Sequence, residues 1–226
     1  MELGYWGMKG MAETIRYLLA YLGQEYKEYN PQSRESWQEE KKNFPSDFPN
    51  LPYIKDGDFI LTESDAIPYY LAAKAGREDL FGKPGVDRAI VRQLQGVIAD
   101  IRQSFFKLLV GQETFEKSFG PESSNVAKFA YLSKFLGEKE YLLGYLTYAD
   151  FELTYLTHFL AVYTASTDKI APISAHTNLA AVVRRVSGLP GIKERIMSTG
   201  NLPFIPSAML KFNLLTWNES LTKTSA

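Results

Sequence analysis

The first 76 residues alternate between short apolar runs and amphipathic segments. Between residues 11 and 21, apolar side chains recur at the i, i+4, i+7 and i+8 positions of one helical face. Residues 2–6 and 24–29 flank this helix as predicted strands, and a short helix is expected over residues 37–42. With the hairpin and helix that follow, the predicted order is β-α-β-α-β-β-α, which is typical of a small sheet covered by helices.

Residues 47–67 read DFPNLPYIKDGDFILTESDAI, and their first part predicts a β-hairpin. Two apolar runs, residues 51–54 and 59–61, flank an Asp-Gly turn, which tolerates the positive φ of a tight hairpin. Pro52 lies at the start of the first strand, where a ladder needs an N–H group. It either ends an edge strand or serves a function of its own.

The polar cluster TESD at residues 62–65 predicts the start of a helix that runs to Lys74. Ser64 is then either a simple N-cap or part of an anion site formed by unpaired N–H groups. Pro68 is expected to remove one backbone hydrogen bond and to strain the first turn.

Residues 77–87 are rich in Gly, Pro and charge and lack periodicity, so we interpret them as a linker. The chain after it is predicted to be entirely helical. Asp87, Thr147 and Thr177 are expected near helix starts as capping residues, and Pro190 is expected in a first turn. The predicted helices cover residues 87–111, 124–137, 146–163, 177–188 and 190–197.

Composition removes several classes of chemistry. Of the 226 residues 45% are apolar, and 25 basic against 26 acidic side chains give a net charge of −1, so there is no basic nucleic-acid footprint. No run reaches the roughly 18 apolar residues of a membrane span, and the first ten residues lack the apolar stretch of a signal peptide. We therefore expect a cytoplasmic protein with neither a nucleic-acid nor a membrane partner.

The reactive groups are limited further, because cysteine is absent and His158 and His176 are the two histidines. A disulfide framework and a thiolate nucleophile are excluded, and a His-rich metal site or a Ser-His-Asp triad is not expected. His158 lies in an apolar helical segment and is expected to be a packed side chain. We expect no metal site.

Four motifs follow one another at the spacing of a known family. They are LGYWGMKGMAETIR at residues 3–16, SWQEEK at 36–41, FPNLPYIKDG at 48–57 and LTESDAI at 61–67. Together they resemble a cytosolic glutathione S-transferase, most closely the mu class and secondly a sigma-like enzyme. The segment before Trp37 is several residues shorter than in typical mu enzymes, so the loop characteristic of that class is missing.

The resemblance implies an architecture and a co-substrate. A thioredoxin-like α/β domain over residues 1–76 would bind glutathione. A linker over 77–87 would lead to an all-α helical domain over 88–226, which carries part of the hydrophobic substrate site.

Tyr5 is the catalytic residue that the resemblance implies. The thiolate is the nucleophile, and a phenol hydroxyl aimed at the sulfur stabilises it by a charge-assisted hydrogen bond. Taken alone, Tyr5 is one of 14 tyrosines and could simply pack in the core.

The same resemblance implies a glutathione-binding set. Pro52 is cis in the family, which lets Leu51 pair with the peptide backbone, and Ser64 meets the γ-glutamyl carboxylate. Glu63 replaces a glutamine of mu enzymes and could face the glutathione amino group. Without the resemblance, Arg34 and Lys41 would be interpreted as solvated surface charges. The set is Trp6, Met11, Arg34, Trp37, Lys41, Asn50, Leu51, Pro52, Glu63, Ser64 and Asp100; Arg34, Trp37 and Lys41 would hold the glycyl carboxylate.

An apolar site for the electrophile is implied beside the sulfur. Met8, Phe106 and Val110 occupy positions that line it in mu enzymes, and residues 209–212 would cover it. Val110 replaces a tyrosine that donates a proton in epoxide opening, so slow epoxide turnover is expected.

A homodimer is also implied. Phe48 matches the aromatic residue that inserts into the partner's helical domain in mu enzymes, and Asp100 matches the residue that reaches the partner's bound glutathione. The alternatives are that Phe48 covers its own hairpin and that Asp100 is a solvated helix position.

The predicted function is therefore conjugation of glutathione to hydrophobic electrophiles, as in detoxification. Two alternatives stay open at this level. One is a glutathione-dependent isomerase of the sigma-like prostaglandin synthase type. The other is a non-catalytic ligand-binding or structural protein of the same fold.

Overall fold

A four-stranded mixed sheet forms the centre of the N-terminal part in the computed structural model, which describes residues 1–167, 169–199 and 202–205. The strands lie in the spatial order β2-β1-β3-β4. Strand β1 pairs in parallel with β2 and antiparallel with β3, and β3 and β4 form the hairpin. The strands are β1 (Glu2–Gly4), β2 (Lys27–Tyr29), β3 (Tyr53–Asp56) and β4 (Phe59–Thr62).

Helices α1 (Glu13–Tyr21), α2 (Arg34–Lys41) and α3 (Ile67–Lys74) complete this part in the predicted order. A 3-10 helix, Gly10–Ala12, leads into α1. Residues 12–19 are all buried, because α1 lies between the sheet domain and the helices of the second half. The predicted β-α-β-α-β-β-α order is confirmed.

The second half is helical, as the sequence predicts. Helix α7 packs against α1, α4 and α8, and its apolar residues are buried on all sides, which is typical of a central helix. The helices are α4 (Val86–Leu109), α5 (Phe115–Phe119), α6 (Ser124–Leu136), α7 (Tyr148–Thr167), α8 (Thr177–Ser187) and α9 (Ile192–Ser198), with 3-10 helices at Glu78–Phe81 and Pro172–Ala175.

Helix α3 begins two residues later than predicted, and this changes the role of Pro68. Residues 64–66 form a turn, so Pro68 is the second residue of the helix. In the first turn an N–H group has no intrahelical partner, so the proline removes no bond there. The expected strain at Pro68 was therefore wrong.

Some predicted helix ends also differ. Asp87 does not cap α4; its carboxylate accepts a hydrogen bond of 2.9 Å from the Tyr145 hydroxyl. Thr177 is the first residue of α8 rather than its N-cap, and Pro190 precedes α9. The cap of α7 is as expected, because Asp150 accepts from both the N–H and the hydroxyl of Thr147 at 2.8 Å.

Across the described residues, no helix is both long enough and apolar enough to pass through a membrane. The expected cytoplasmic location stays a prediction.

Candidate functional site

A cavity of about 450 Å3 lies where the loop after β1 meets helices α4 and α7. Its wall is largely aromatic and aliphatic, which suits an apolar small molecule. Its lining residues in the described part of the chain are Tyr5, Trp6, Met8, Gly10, Met11, Arg102, Gln103, Phe105, Phe106, Leu109, Tyr155, Phe159 and Ile205.

The hydroxyl of Tyr5 lies at the wall of this cavity. Tyr5 follows β1 directly and is 6% exposed, and its oxygen accepts a hydrogen bond of 3.0 Å from the backbone N–H of Met11. A phenol has one O–H to donate, so the Met11 bond leaves the proton available to a group in the cavity. Burial raises the pKa of Tyr5, although the Met11 N–H and the charges of Arg16 and Arg102 oppose the shift. The phenol is therefore a neutral donor near neutral pH.

Gly10 allows the Tyr5 hydroxyl to take this position. Its φ is +45°, and a Cβ at this glycine would lie 2.6 Å from the Tyr5 oxygen and 2.7 Å from Cε1. A side chain at residue 10 would thus occupy the space of the phenol. At Gly7, in the same loop, a Cβ would have no neighbouring atom within 4 Å, and the backbone does not adopt a positive φ.

The buried side chain of Arg16, on α1, fixes one side of the loop that carries Met8 and Gly10. Its guanidinium donates to the carbonyls of Met8 (2.9 Å) and Lys9 (3.1 Å) and forms two bonds to Glu28, at 2.8 and 3.0 Å. From the other side, Lys9 and Gly10 N–H groups each donate at 2.8 Å to the carbonyls of residues 203 and 204. Arg16 was not among the predicted site residues, because it lies outside the apolar face of α1 that periodicity assigns to the core.

A second group of residues lies around the start of β3 and the turn after β4. The Leu51–Pro52 bond is cis, as the resemblance implies. Asn50 donates from Nδ2 to the Glu63 carboxylate at 2.9 Å, which joins the two segments. Glu63 has a φ of +77°, an uncommon conformation that recurs at functional sites.

The turn after Glu63 presents backbone donors. The N–H groups of Ala66 and Ile67 donate to the Glu63 carbonyl at 3.0 and 3.1 Å. The N–H groups of Ser64 and Asp65 make no hydrogen bond to any described residue. Ser64 is half-buried, so its hydroxyl and N–H can reach a ligand anion.

Helix α2 presents the third group. Ser33 and Ser36 form a reciprocal capping box that fixes its start, at 3.0 and 3.1 Å. The spacing i, i+3, i+7 then places Arg34, Trp37 and Lys41 on one face. None of their side chains has a hydrogen-bond or ion-pair partner within the described residues.

Trp37 is buried, and aromatic packing fixes its ring. The ring stacks on Tyr53 with centroids 6.4 Å apart and meets Phe44 edge-on at 5.5 Å. The indole N–H is an obligate donor, so a ligand acceptor beside α2 would satisfy it.

Several predicted residues lie apart from these groups. Asp100, on α4, is exposed and pairs with Lys128 of its own chain at 2.9 Å. Val110 follows α4 and is not among the lining residues of the cavity, whereas Met8 and Phe106 are. Phe48 is 75% exposed. Residues 209–212 lie outside the described residues.

Some of the site was not predicted. The lining residues that were not predicted are Arg102, Gln103, Phe105 and Leu109 of α4, Tyr155 and Phe159 of α7, Gly10 and Ile205.

His158 is a packed side chain, as expected. It lies 3.1 Å from the Tyr17 hydroxyl and 3.0 Å from that of Ser187, and burial lowers its pKa to about 4. Among the described residues no group of His, Asp and Glu could hold a metal ion.

Two families of domain match this chain. Residues 1–73 match the family described as "Glutathione S-transferase, N-terminal domain". Residues 99–198 match the one described as "Glutathione S-transferase, C-terminal domain".

Among similar curated proteins is the class-mu 26 kDa glutathione S-transferase isozyme 51 of Fasciola hepatica, 36% identical over 143 residues, 62% of this chain and 64% of that protein. The class-mu 26 kDa isozyme of Schistosoma mansoni is 40% identical over 114 residues, 50% of this chain and 57% of that protein. Glutathione S-transferase 2 of Gallus gallus is 35% identical over 152 residues, 62% of this chain and 66% of that protein. The matched part of the chain thus spans somewhat less than two thirds of these relatives.

A solved structure described as rat hPGDS complexed with a quinoline has a similar fold. Its TM-score is 0.68 at 25% sequence identity, and the match covers 87% of this chain and 96% of that one.

Proposed function

Because this chain belongs to the glutathione S-transferase family, we propose that it conjugates the thiolate of glutathione to hydrophobic electrophiles. The observation that carries this proposal is the Tyr5 hydroxyl at the wall of an apolar cavity, with its oxygen bonded to the Met11 N–H and its proton available. A thiol with an ordinary pKa of about 8.5 is mostly protonated at neutral pH. A hydrogen bond from Tyr5 to the sulfur favours the thiolate.

The reaction needs only the two substrates. The glutathione thiol loses its proton to water, and a sulfur electron pair then forms the bond to an electrophilic carbon. The leaving group departs with the electrons of the broken bond, or a ring opens and takes up a proton. The apolar cavity beside Tyr5 holds the electrophile and excludes water from the sulfur.

Glutathione has a charged group at each end, and three groups of residues offer partners for its two ends and its centre. Ser64 and its N–H bind the γ-glutamyl carboxylate, and the Glu63 carboxylate faces the amino group. Arg34, Trp37 and Lys41 bind the glycyl carboxylate, since cations and an indole N–H are suitable donors. Leu51, beside the cis proline, pairs with the central cysteine, with Asn50 fixing this loop to Glu63. Trp6 and Met11 complete the wall at the sulfur.

The experiment that tests the function measures conjugation of glutathione to 1-chloro-2,4-dinitrobenzene by the purified full chain. Aryl C–S bond formation with loss of chloride, well above the rate of glutathione alone, is the expected result. A protein that binds glutathione but gives no rate above that background would be a ligand-binding protein rather than a transferase.

A glutathione-dependent isomerase is the second candidate, because the sequence also resembles sigma-like enzymes and the fold is similar to that of the structure described as rat hPGDS. Isomerisation returns glutathione unchanged, whereas conjugation consumes it. Assaying both reactions on the same preparation separates the two candidates.

Trp37→Phe is expected to weaken glutathione binding about tenfold, since a hydrogen bond to a charged group worth about 1.5 kcal/mol is lost while two cations still hold the carboxylate. Phenylalanine retains ring contacts with Tyr53 and Phe44, so thermal stability should change little. Isothermal titration with glutathione measures the affinity. Unchanged affinity would exclude the indole N–H from the site.

We also propose that the protein acts as a homodimer. Phe48 is 75% exposed beside the cis-proline loop, and burying such a ring against a partner removes apolar surface from water, worth about 25 cal/mol per Å2. In a two-fold pair Asp100 would face the partner's glutathione site. It would exchange its ion pair with Lys128 for the glutathione amino group.

Phe48→Ser is expected to weaken dimerisation at least about tenfold, because a two-fold dimer loses the burial of two large apolar side chains. Glutathione affinity should fall as well, because monomers lose Asp100 in trans. Sedimentation across a dilution series measures the association. Met197→Ser, at an exposed apolar position on α9, is the matched control and should leave both values unchanged. A wild-type monomer with full glutathione affinity would contradict the arrangement.

A further inference from the structure

Arg102 places one full charge in the wall of an otherwise apolar cavity. Arg102 is the one charged side chain among the described lining residues. The other lining groups are aromatic rings, aliphatic chains and the amide of Gln103. A cation beside apolar walls attracts an anion more strongly than it does in open water, because the local dielectric constant is lower.

Arg102 has no direct partner among the described residues. Its guanidinium has neither an ion pair nor a hydrogen bond with a described residue, and guanidinium groups stay charged in proteins. Asp100, the acid closest to it along α4, is already paired with Lys128.

The acid of α7 on which the charge of Arg102 acts is Glu152. Burial raises the pKa of this carboxyl to about 7, although Arg102 opposes the shift, so near neutral pH it is only partly ionised. Its Oε2 atom has no hydrogen-bond partner among the described residues. Glu152 therefore offsets the positive charge of Arg102 only in part. The guanidinium can still attract a ligand anion.

Arg102 also lies near the proposed reacting centre. Its charge acts on the Tyr5 hydroxyl and opposes the rise of the Tyr5 pKa caused by burial. A ligand anion bound by the guanidinium would thus hold the rest of the ligand beside Tyr5. Arg forms bidentate hydrogen bonds with a carboxylate, which fixes orientation as well as distance.

We infer that Arg102 makes this cavity selective for electrophiles that carry an anionic group, a carboxylate or a sulfonate, on an otherwise apolar body. The inference rests on the proposed conjugation of glutathione and narrows its substrate class. The anion binds at Arg102, and the reactive carbon then lies against the thiolate at Tyr5.

A matched pair of aryl chlorides tests the inference: 4-chloro-3,5-dinitrobenzoate and 4-chloro-3,5-dinitrobenzamide. In both, sulfur forms a bond to the ring carbon and chloride leaves with the bonding electrons. Each kcat/KM is divided by the rate constant of the same substrate with free glutathione, which removes the difference in intrinsic reactivity. The wild type is expected to favour the benzoate about fivefold, through a lower KM.

The variants then assign the preference to Arg102. Arg102→Gln should bring the ratio of the normalised kcat/KM values for the two substrates to about one. Arg102→Lys should retain part of the preference for the benzoate. Arg88→Gln removes the same charge from an exposed position of α4 outside the cavity and should leave the ratio intact. Binding of the unreactive 3,5-dinitrobenzoate, compared with 3,5-dinitrobenzamide, should follow the same pattern without any turnover.

The outcomes separate the inference from the function on which it rests. If the wild type conjugates glutathione to neither of the two aryl chlorides and to no other neutral aryl halide, the transferase proposal fails. If both are conjugated without preference, or if the ratio survives Arg102→Gln, the inference about Arg102 is overturned and the transferase stands.

Discussion

Replacement of Tyr5 by phenylalanine is expected to lower the turnover of glutathione conjugation near neutral pH by about 10- to 100-fold. The lost hydrogen bond to a charged sulfur is worth about 1.5–3 kcal/mol, and each 1.4 kcal/mol corresponds to about tenfold in rate. The ring itself is retained, so the wall of the cavity keeps its shape.

Glutathione affinity should stay nearly unchanged in Tyr5→Phe, because the two carboxylates are bound by residues of α2 and of the turn at Ser64. The two effects are separable by measuring kcat from conjugation and Kd from calorimetry. Tyr17→Phe, which removes a buried hydroxyl of α1 outside the cavity, is the matched control for loss of a phenol oxygen. Full activity in Tyr5→Phe would show that another group activates the thiol.

Gly10→Ala is expected to reduce turnover about tenfold or more while leaving Tyr5 in the chain. The new Cβ would lie 2.6 Å from the Tyr5 oxygen, so the phenol must move away from the Met11 N–H and from the sulfur. The φ of +45° adds a cost of about 1–2 kcal/mol for any residue with a Cβ. Thermal denaturation should therefore also show a loss of stability.

Gly7→Ala is the matched control for this prediction. Gly7 lies in the same loop, has open space where the Cβ would be, and does not need a positive φ. Its substitution should leave turnover unchanged. In the double variant Tyr5→Phe and Gly10→Ala, the losses of turnover should not add, because both act on one hydroxyl. Full additivity would mean that Gly10 acts elsewhere.

The elements of the fold could largely be predicted, because their apolar periodicity is local. Helix α5 (Phe115–Phe119) could not, since five residues are too few for a helical period to be recognised. The start of α3 was misplaced for a different reason. The sequence TESD has the residues of a cap, but the turn is fixed by Glu63 at positive φ and by its bond to Asn50, which is distant in sequence.

The candidate site was only half predictable. Tyr5, Trp37 and Ser64 could be predicted because short motifs carry them at a familiar spacing. Arg102 was missed, since whether a polar residue of an amphipathic helix lines a cavity depends on how α4 packs against α7 and the loop after β1. That packing is a tertiary property, and no local pattern encodes it.

Arg16 was missed for a related reason. Glu13 and Arg16 lie outside the apolar face of residues 11, 15, 18 and 19, where periodicity predicts exposed side chains. They are buried because helices of the second half also cover this side of α1, and buried charges require partners. The structure supplies these partners, with Arg195 donating to Glu13 at 2.9 and 3.0 Å and Arg16 bound to Glu28 and the loop carbonyls.

The central claim is that Tyr5 activates the sulfur of glutathione, and titration of the thiolate ultraviolet absorbance of bound glutathione tests it most directly. In the wild type the apparent pKa of the bound thiol should lie at least about one unit below the ordinary value of about 8.5. In Tyr5→Phe, at equal saturation with glutathione, it should rise by about one unit or more, equivalent to about 1.4 kcal/mol or more of lost thiolate stabilisation. The same low pKa in both proteins would contradict the account.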